Sequence, residues 1–152
     1  MKKELKIPLI KNGSVIDHIT PGNAVKVLRI LRIPDSSSSV VSVAMNVRSK
    51  LGKKDIVKIE NRELDPHEVD KIALVAPKAT INIIRDYKVA EKHKVKLPDE
   101  IIGIVKCSNP TCISNAQREP VKSRFKVLKK DPTEIICYYC EREPDDIAER
   151  II

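Results

Sequence analysis

All four cysteines of this chain fall in its last third, as Cys107-x4-Cys112 and Cys137-x2-Cys140. Two short-spaced pairs with a folded spacer between them suit a tetrahedral ion, because each pair occupies one tight turn and the spacer can bring the turns together. The pattern therefore predicts one Zn(Cys)4 site with Cys107, Cys112, Cys137 and Cys140 as ligands. Four thiolates fill the tetrahedron and leave no position for water, so the metal is expected to be structural rather than catalytic. The alternative of two disulfides needs an oxidising compartment, and no signal-peptide pattern precedes the chain. A redox role for Cys137-x2-Cys140 needs a strand-to-helix setting that the surrounding residues do not provide.

A segment of roughly fifty residues buries little core, and a bound metal offsets that shortfall. The 152 residues then divide most simply into two small domains, with the boundary in the polar, basic stretch Lys92–Asp99 that ends in Leu97-Pro98. Residues 1–97 and 98–152 are the expected domains. A net charge of +8, from 29 Lys and Arg against 21 Asp and Glu, favours anionic partners such as nucleotides, nucleic acid or an acidic protein surface, without choosing among them. No apolar run approaches the roughly 20 residues of a membrane span, so a soluble, cytoplasmic protein is expected.

In the first domain Leu5, Ile7 and Leu9 alternate with Lys6 and Pro8, predicting an edge strand, and Val15–Ile19 follows as a second. Ala24, Val27, Leu28 and Leu31 recur at helical spacing up to Pro34, and Asp35 with Ser36–Ser39 makes a loop. Val41–Val47 and Val57–Ile59 alternate as a hairpin around a turn at Lys50–Lys54, and Asp55 and Glu60 read as ordinary surface charges. Asp65-Pro66-His67-Glu68 carries a cap acceptor, a proline at the first helical position and a carboxylate three residues after the cap, so a helix starts there and runs to Pro77. Thr80–Ile84 is a strand, Arg85-Asp86 a bend, and Tyr87–Val89 its continuation. The order predicts an α+β domain: an antiparallel sheet with two helices on one face, ferredoxin-like. Short strands at Ile101–Val105, Phe125–Leu128 and Ile135-Ile136 make the second domain a small zinc-ribbon-like β unit, with Tyr138 and Tyr139 packing around the metal or one of them at a subunit contact.

Four features in this order, the runs Gly13–Ile19 and Lys54–Asn61, the segment Ala76–Asn82 and the Cys-x4-Cys, Cys-x2-Cys spacing, resemble the regulatory chain of aspartate carbamoyltransferase, a transferase of pyrimidine biosynthesis. The resemblance spans nearly the whole chain. It implies a chain without catalytic activity, whose N-terminal domain binds the nucleoside triphosphates CTP, ATP and UTP as allosteric effectors and whose zinc domain docks onto the catalytic chain. It implies a homodimer through the N-terminal domains and a dodecamer of two catalytic trimers and three regulatory dimers, with no nucleic acid and no membrane as partners.

By the same resemblance Asp17 and Lys58 hold the ribose, and His18, Lys54 and Lys92 surround the phosphates. Ile10, Asn82, Ile84, Tyr87 and Val89 border the base and sugar, and Ile7 and Val15 line the same pocket. The residue types fit these roles, since a carboxylate accepts from sugar hydroxyls and point charges on flexible stems suit a multiply charged anion. Asn109 and Glu119 match positions that face the catalytic chain, although the segment between them is longer than usual and Thr111 stands where the family often has Asn. Pro8 and Leu9 also depart from the family pattern, at positions that use backbone groups.

Two other functional classes compete for these residues. A nucleic-acid-binding zinc-ribbon protein fits the charge and the cysteines, but three Tyr, one Phe and no Trp leave little for base stacking. A free-standing enzyme would need a nucleophile triad, a phosphate-cradling glycine loop or an open metal site, and the chain has four glycines in all.

Overall fold

A computed structural model describes residues 9–33, 39–50, 52–118 and 121–152. The chain divides into two compact units that meet between Val95 and Lys96.

The first unit runs β1 (Gly13–Ile19), α1 (Ala24–Ile30), β2 (Val41–Ser49), β3 (Gly52–Glu60), α2 (Pro66–Ala73), β4 (Thr80–Arg85) and β5 (Lys88–Lys94). Its five strands lie in the order β2-β3-β1-β4-β5, every neighbouring pair antiparallel. β1 and β2 flank β3 across the helix α1, a split βαβ unit of the ferredoxin-like kind. Alternation sorts the side chains: Ser14 and Ile16 of β1, Asp55, Val57 and Ile59 of β3, and Ile81 and Ile83 of β4 are buried on one face. The helices cover that face. Ala24 and Val27 of α1 and Ile72 and Ala73 of α2 are buried, and the Asn23 amide at the start of α1 donates to the Val75 carbonyl just past α2 at 2.8 Å.

Helix α2 begins where its capping box predicts: Glu68 N–H donates to Asp65 at 2.9 Å, and the Glu68 carboxylate accepts from Asp65 N–H at 3.3 Å. It ends at Ala73, earlier than Pro77 requires, because Leu74, Val75 and Ala76 close on Lys71 and Ile72 as a turn that leaves all three buried. Gly13 opens β1 at φ +143°, and a Cβ there would stand 2.0 Å from the Ile59 carbonyl oxygen, so the approach of β1 to β3 excludes any side chain.

Several sequence expectations are corrected. Of the strand expected over residues 5–9, residues 5–8, Ile7 among them, lie outside the described residues, and Leu9 is exposed and belongs to no strand. The β2–β3 turn is tighter than Lys50–Lys54, because Ser49 already pairs with Gly52. Arg85 stays in β4, and the reversal falls on Asp86 and Tyr87, whose φ values of 54° and 66° are those of a two-residue hairpin turn. β5 continues through Lys92 to Lys94, well into the stretch read as a boundary. Asp55 is not a surface charge: it is fully buried.

The second unit is a three-stranded antiparallel sheet in the order β6-β7-β8, of β6 (Glu100–Ile102), β7 (Arg124–Lys130) and β8 (Thr133–Cys137). Ile101, Phe125, Ile135 and Cys137 form its buried face. A 3-10 turn at Ile113–Asn115 and a short helix α3 (Ile147–Arg150) complete it, neither expected from the sequence. Tyr138 and Tyr139 are 44% and 37% exposed rather than packed around the cysteines. Their rings meet edge to face at 5.3 Å, and Arg124 lies 4.2 Å over Tyr138, so the aromatic pair is held by a cation–π contact from outside. Among the described residues no helix is long and apolar enough to cross a membrane.

Candidate functional site

The sheet face opposite the helices collects most of the predicted effector residues. Register sets them in rows. Ser42 pairs with Lys58, Lys58 with Val15, Val15 with Asn82 and Asn82 with Lys92, one line across all five strands. A neighbouring line runs Asp17, Thr80, Lys94, and on the other side Ile84 pairs with both Gly13 and Val89. Val15, Asp17, Lys54, Lys58 and Asn82 are half-buried, Ile84 is buried, and Lys92 and Val89 are exposed. A β5 that stopped at Val89 would leave Lys92 out of this arrangement.

Asp17 and His18 sit where β1 slips register against β3 between Ile16 and Ile19. Such a bulge bends the strand and re-aims its side chains. His18 takes φ 58°, its N–H donates to Asp17 Oδ1 at 2.7 Å, and its Nδ1 lies 3.4 Å from Thr80 Oγ1. Lys54 Nζ stands 2.9 Å from Asp17 Oδ1 and 3.2 Å from Oδ2, so these two groups form an ion pair within the cluster. Burial lowers the Lys58 ammonium from its ordinary range, and Asp17 raises it part of the way back.

Two predicted residues stand apart. Ile10 is 5% exposed, so its side chain belongs to the core. Tyr87 is on the β4–β5 turn, which is held to the segment after Ile10 by Tyr87 N–H on the Lys11 carbonyl at 2.9 Å and Asp86 N–H on Asn12 Oδ1 at 3.1 Å. Register adds Thr80 and Lys94, which sequence reasoning missed: Lys94 reads as linker in the sequence, and only its pairing with Thr80 puts it in the row of Asp17, two strands away.

Behind the same bulge, on the helix face, Asp55 accepts from three backbone N–H groups, those of Gly22 at 2.8 Å, Ala24 at 3.2 Å and Asn46 at 2.9 Å. Asn23, at the cap position of α1, makes no side-chain cap bond. Asp55 supplies that acceptor from a distant strand, and it also holds the irregularity of β2 at Asn46, where φ is 60°.

In the second unit the sulfurs of Cys107, Cys112, Cys137 and Cys140 all lie within 4.8 Å of one another, and none is in a disulfide. Cys107 and Cys140 approach to 3.5 Å, Cys112 and Cys137 to 3.7 Å. Thiolates about 2.3 Å from a tetrahedral zinc stand about 3.8 Å apart, so the spacing fits. The first turn is locked from inside: Asn115 Nδ2 donates to the carbonyls of Cys107 and Asn109 at 3.0 and 2.8 Å, and Asn109 Oδ1 accepts from Thr111 N–H and Oγ1. Glu119 lies outside the described residues.

The electrostatics fit a cation. Burial pushes the Cys107 thiol up to about 12 and raises Cys137 too, whereas backbone N–H from Arg142 and neighbouring donors bring Cys140 down to about 7 against the cost of its own burial. Further N–H groups of Asn109, Tyr139 and Cys140 point at the Cys107 and Cys137 sulfurs. A divalent soft-acceptor ion held by these four residues would supply the charge that turns such thiols into thiolates, with the peptide donors stabilising them. With four ligands the ion has a structural role.

Comparison with known proteins agrees with both halves. Residues 5–96 match the family model described as "Aspartate carbamoyltransferase regulatory chain, allosteric domain", and residues 99–148 the one described as "Aspartate carbamoyltransferase regulatory chain, metal binding domain". An aspartate carbamoyltransferase regulatory chain of Methanothermobacter thermautotrophicus is 59% identical over 155 aligned residues, covering 99% of this chain and 98% of that one. Those of Methanothrix thermoacetophila (99% of this chain, 96% of that one) and Korarchaeum cryptofilum (99% and 98%) are 54% and 50% identical. The matched domains are allosteric and metal-binding, not catalytic. The chain therefore belongs to the family of aspartate carbamoyltransferase regulatory chains.

Proposed function

We propose that the open face of the five-stranded sheet binds nucleoside triphosphates, CTP, ATP or UTP, as allosteric effectors. The observation that carries this reading is the cross-strand line Lys58, Val15, Asn82, Lys92, flanked by Asp17, Lys54 and Lys94. Lys58 and Lys92 are three strand spacings apart, about 14 Å, with an apolar and an amide group between them. Lys92 at one end serves a charged triphosphate, and Lys58 at the other shares the ribose with Asp17 once Lys54 turns from it to phosphate. His18 and Val89 border this face, and Tyr87 lies on the turn that the Lys11 carbonyl and the Asn12 side chain hold beside it.

In this reading residues 1–97 form the effector module and residues 98–152 the module that holds zinc and docks on a catalytic chain. The effector modules pair as a homodimer. Alternating Val41–Val47 on the edge strand β2, with Val43 and Met45 40% and 44% exposed, is the surface such pairing would cover. Three dimers then bridge two catalytic trimers, and nucleotide binding shifts the assembly between states of low and high substrate affinity.

Nucleotide titration tests the site. Replacing Lys58 or Lys92 by Ala removes a charge-assisted contact and weakens CTP and ATP binding by about 1.5–3 kcal/mol, roughly ten- to hundredfold. Unchanged affinity in both variants would move the pocket elsewhere. Mixing the zinc-loaded chain with its cognate catalytic trimer tests the partnership, through a larger complex whose aspartate saturation responds to nucleotide.

A further inference from the structure

The matched metal-binding model stops at residue 148, yet the residues around and beyond it close on the first cysteine turn. Arg150 O accepts from Lys106 N–H at 2.7 Å and Ile104 O accepts from Ile152 N–H at 2.7 Å, with Val105 bridged to Ile151 between them. This miniature ladder ends at the residue before Cys107. On its other side Ser108 Oγ donates to Asp145 Oδ1 at 2.9 Å and accepts from Asp145 N–H at 3.1 Å. Asp145 is in turn gripped by Arg150, whose Nε and Nη2 reach Oδ1 and Oδ2 at 3.0 and 3.1 Å. Cys107 is thus held through both chain neighbours by one C-terminal turn.

We propose that this turn is the outer support of the metal centre, with Asp145 and Arg150 as positioning residues for Cys107. Fixing the backbone at Lys106 and Ser108 keeps the Cys107 sulfur in ligating geometry, so the ion loses less when it binds and the sulfur detaches less often. Arg150, already paired with Asp145, adds no net charge to the centre and acts through the geometry of that grip. Asp145 aims the guanidinium and limits its freedom, as groups behind metal ligands do.

The inference rests on the four-cysteine metal reading, and one experiment separates the two. Zinc is quantified in the purified full chain, and its transfer to the chromogenic chelator 4-(2-pyridylazo)resorcinol is timed under native conditions. Arg150→Ala and Asp145→Ala should each release zinc about tenfold faster than the parent. The double variant should release it no faster than the singles, because the two residues act as a unit. Arg150→Lys, which keeps the charge but not the two-pronged grip, should lie between. Ile101→Val destabilises the same sheet from its core without removing any group of the clamp, and should leave release within about twofold. Cobalt in place of zinc gives a second readout: its ligand-field bands should change in Arg150→Ala and not in Ile101→Val. A parent chain without stoichiometric metal would overturn the metal reading itself. Zinc present but released at the parental rate from both clamp variants would overturn only the clamp, as would equal acceleration in Ile101→Val.

Discussion

Replacing Asp55 should cost the first unit a large share of its stability. The carboxylate is fully buried and accepts N–H groups from Gly22, Ala24 and Asn46 at 2.8, 3.2 and 2.9 Å. Asp55→Ala leaves those donors without it. Ala24 is buried, so its N–H bears the whole desolvation penalty of about 1–3 kcal/mol, while water can partly replace the acceptor at Gly22 and Asn46, which are exposed. The sum is about 3–5 kcal/mol, against about 5–15 kcal/mol for a whole domain. Asp55→Asn keeps the shape but turns an amide NH2 toward N–H donors on one side, so roughly half of that loss is expected. Urea unfolding followed by far-UV circular dichroism should show the midpoint of the first unit falling by about 2 M in the Ala variant, at a slope near 2 kcal/mol/M. Amide exchange at Ala24 and Asn46 should accelerate more than exchange in β4. A loss under about 1 kcal/mol with protection unchanged at both amides would refute the assignment of this carboxylate as their acceptor.

Gly13→Ala places a Cβ against the Ile59 carbonyl at a φ of +143° and should destabilise the first unit by about 2 kcal/mol or more, measured by the same urea titration. Stripping zinc with a chelator, or replacing Cys112 by Ala, should unfold the second unit while the first keeps its circular dichroism and its nucleotide affinity, because the small sheet depends on the ion for folding free energy. Nucleotide affinity should fall on the alkaline side earlier than an ordinary lysine allows. Burial disfavours the Lys58 ammonium and a bound anion favours it, so binding takes up a proton as pH nears the lowered pKa; isothermal titration in buffers of different ionisation enthalpy should record that uptake, and Lys58→Arg should abolish it.

What was legible in the sequence follows from how much each signal depends on neighbours in the chain. The capping box at Asp65–Glu68 and the two cysteine pairs act over a few residues, and both appear where spacing puts them. β5 was half hidden because Lys88–Lys94 is exposed throughout and so carries no apolar alternation; its signature is the ladder to β4, which exists only in three dimensions. Asp55 was misread for the complementary reason. A carboxylate in an alternating strand has the composition of a surface residue, and nothing local announces that its oxygens face donors 31 to 33 residues earlier and 9 residues earlier. The rows of the open face came from resemblance as a set of positions; pairing across β3, β1, β4 and β5 supplies the reason those positions share a face.

The position of β1 has a consequence for how the chain is made. It is the first described strand in sequence but the middle one in the sheet, paired with β3 on one side and β4 on the other. A ribosome releases Ile16 and Ile19 long before Val57 or Ile81 can cover them, so roughly seventy residues must emerge before both edges of that strand are satisfied. No earlier truncation contains a closed sheet. The unit therefore completes its sheet late, and the nascent chain carries an incompletely paired apolar strand while those residues emerge, the interval in which a chaperone or a neighbouring copy can capture it.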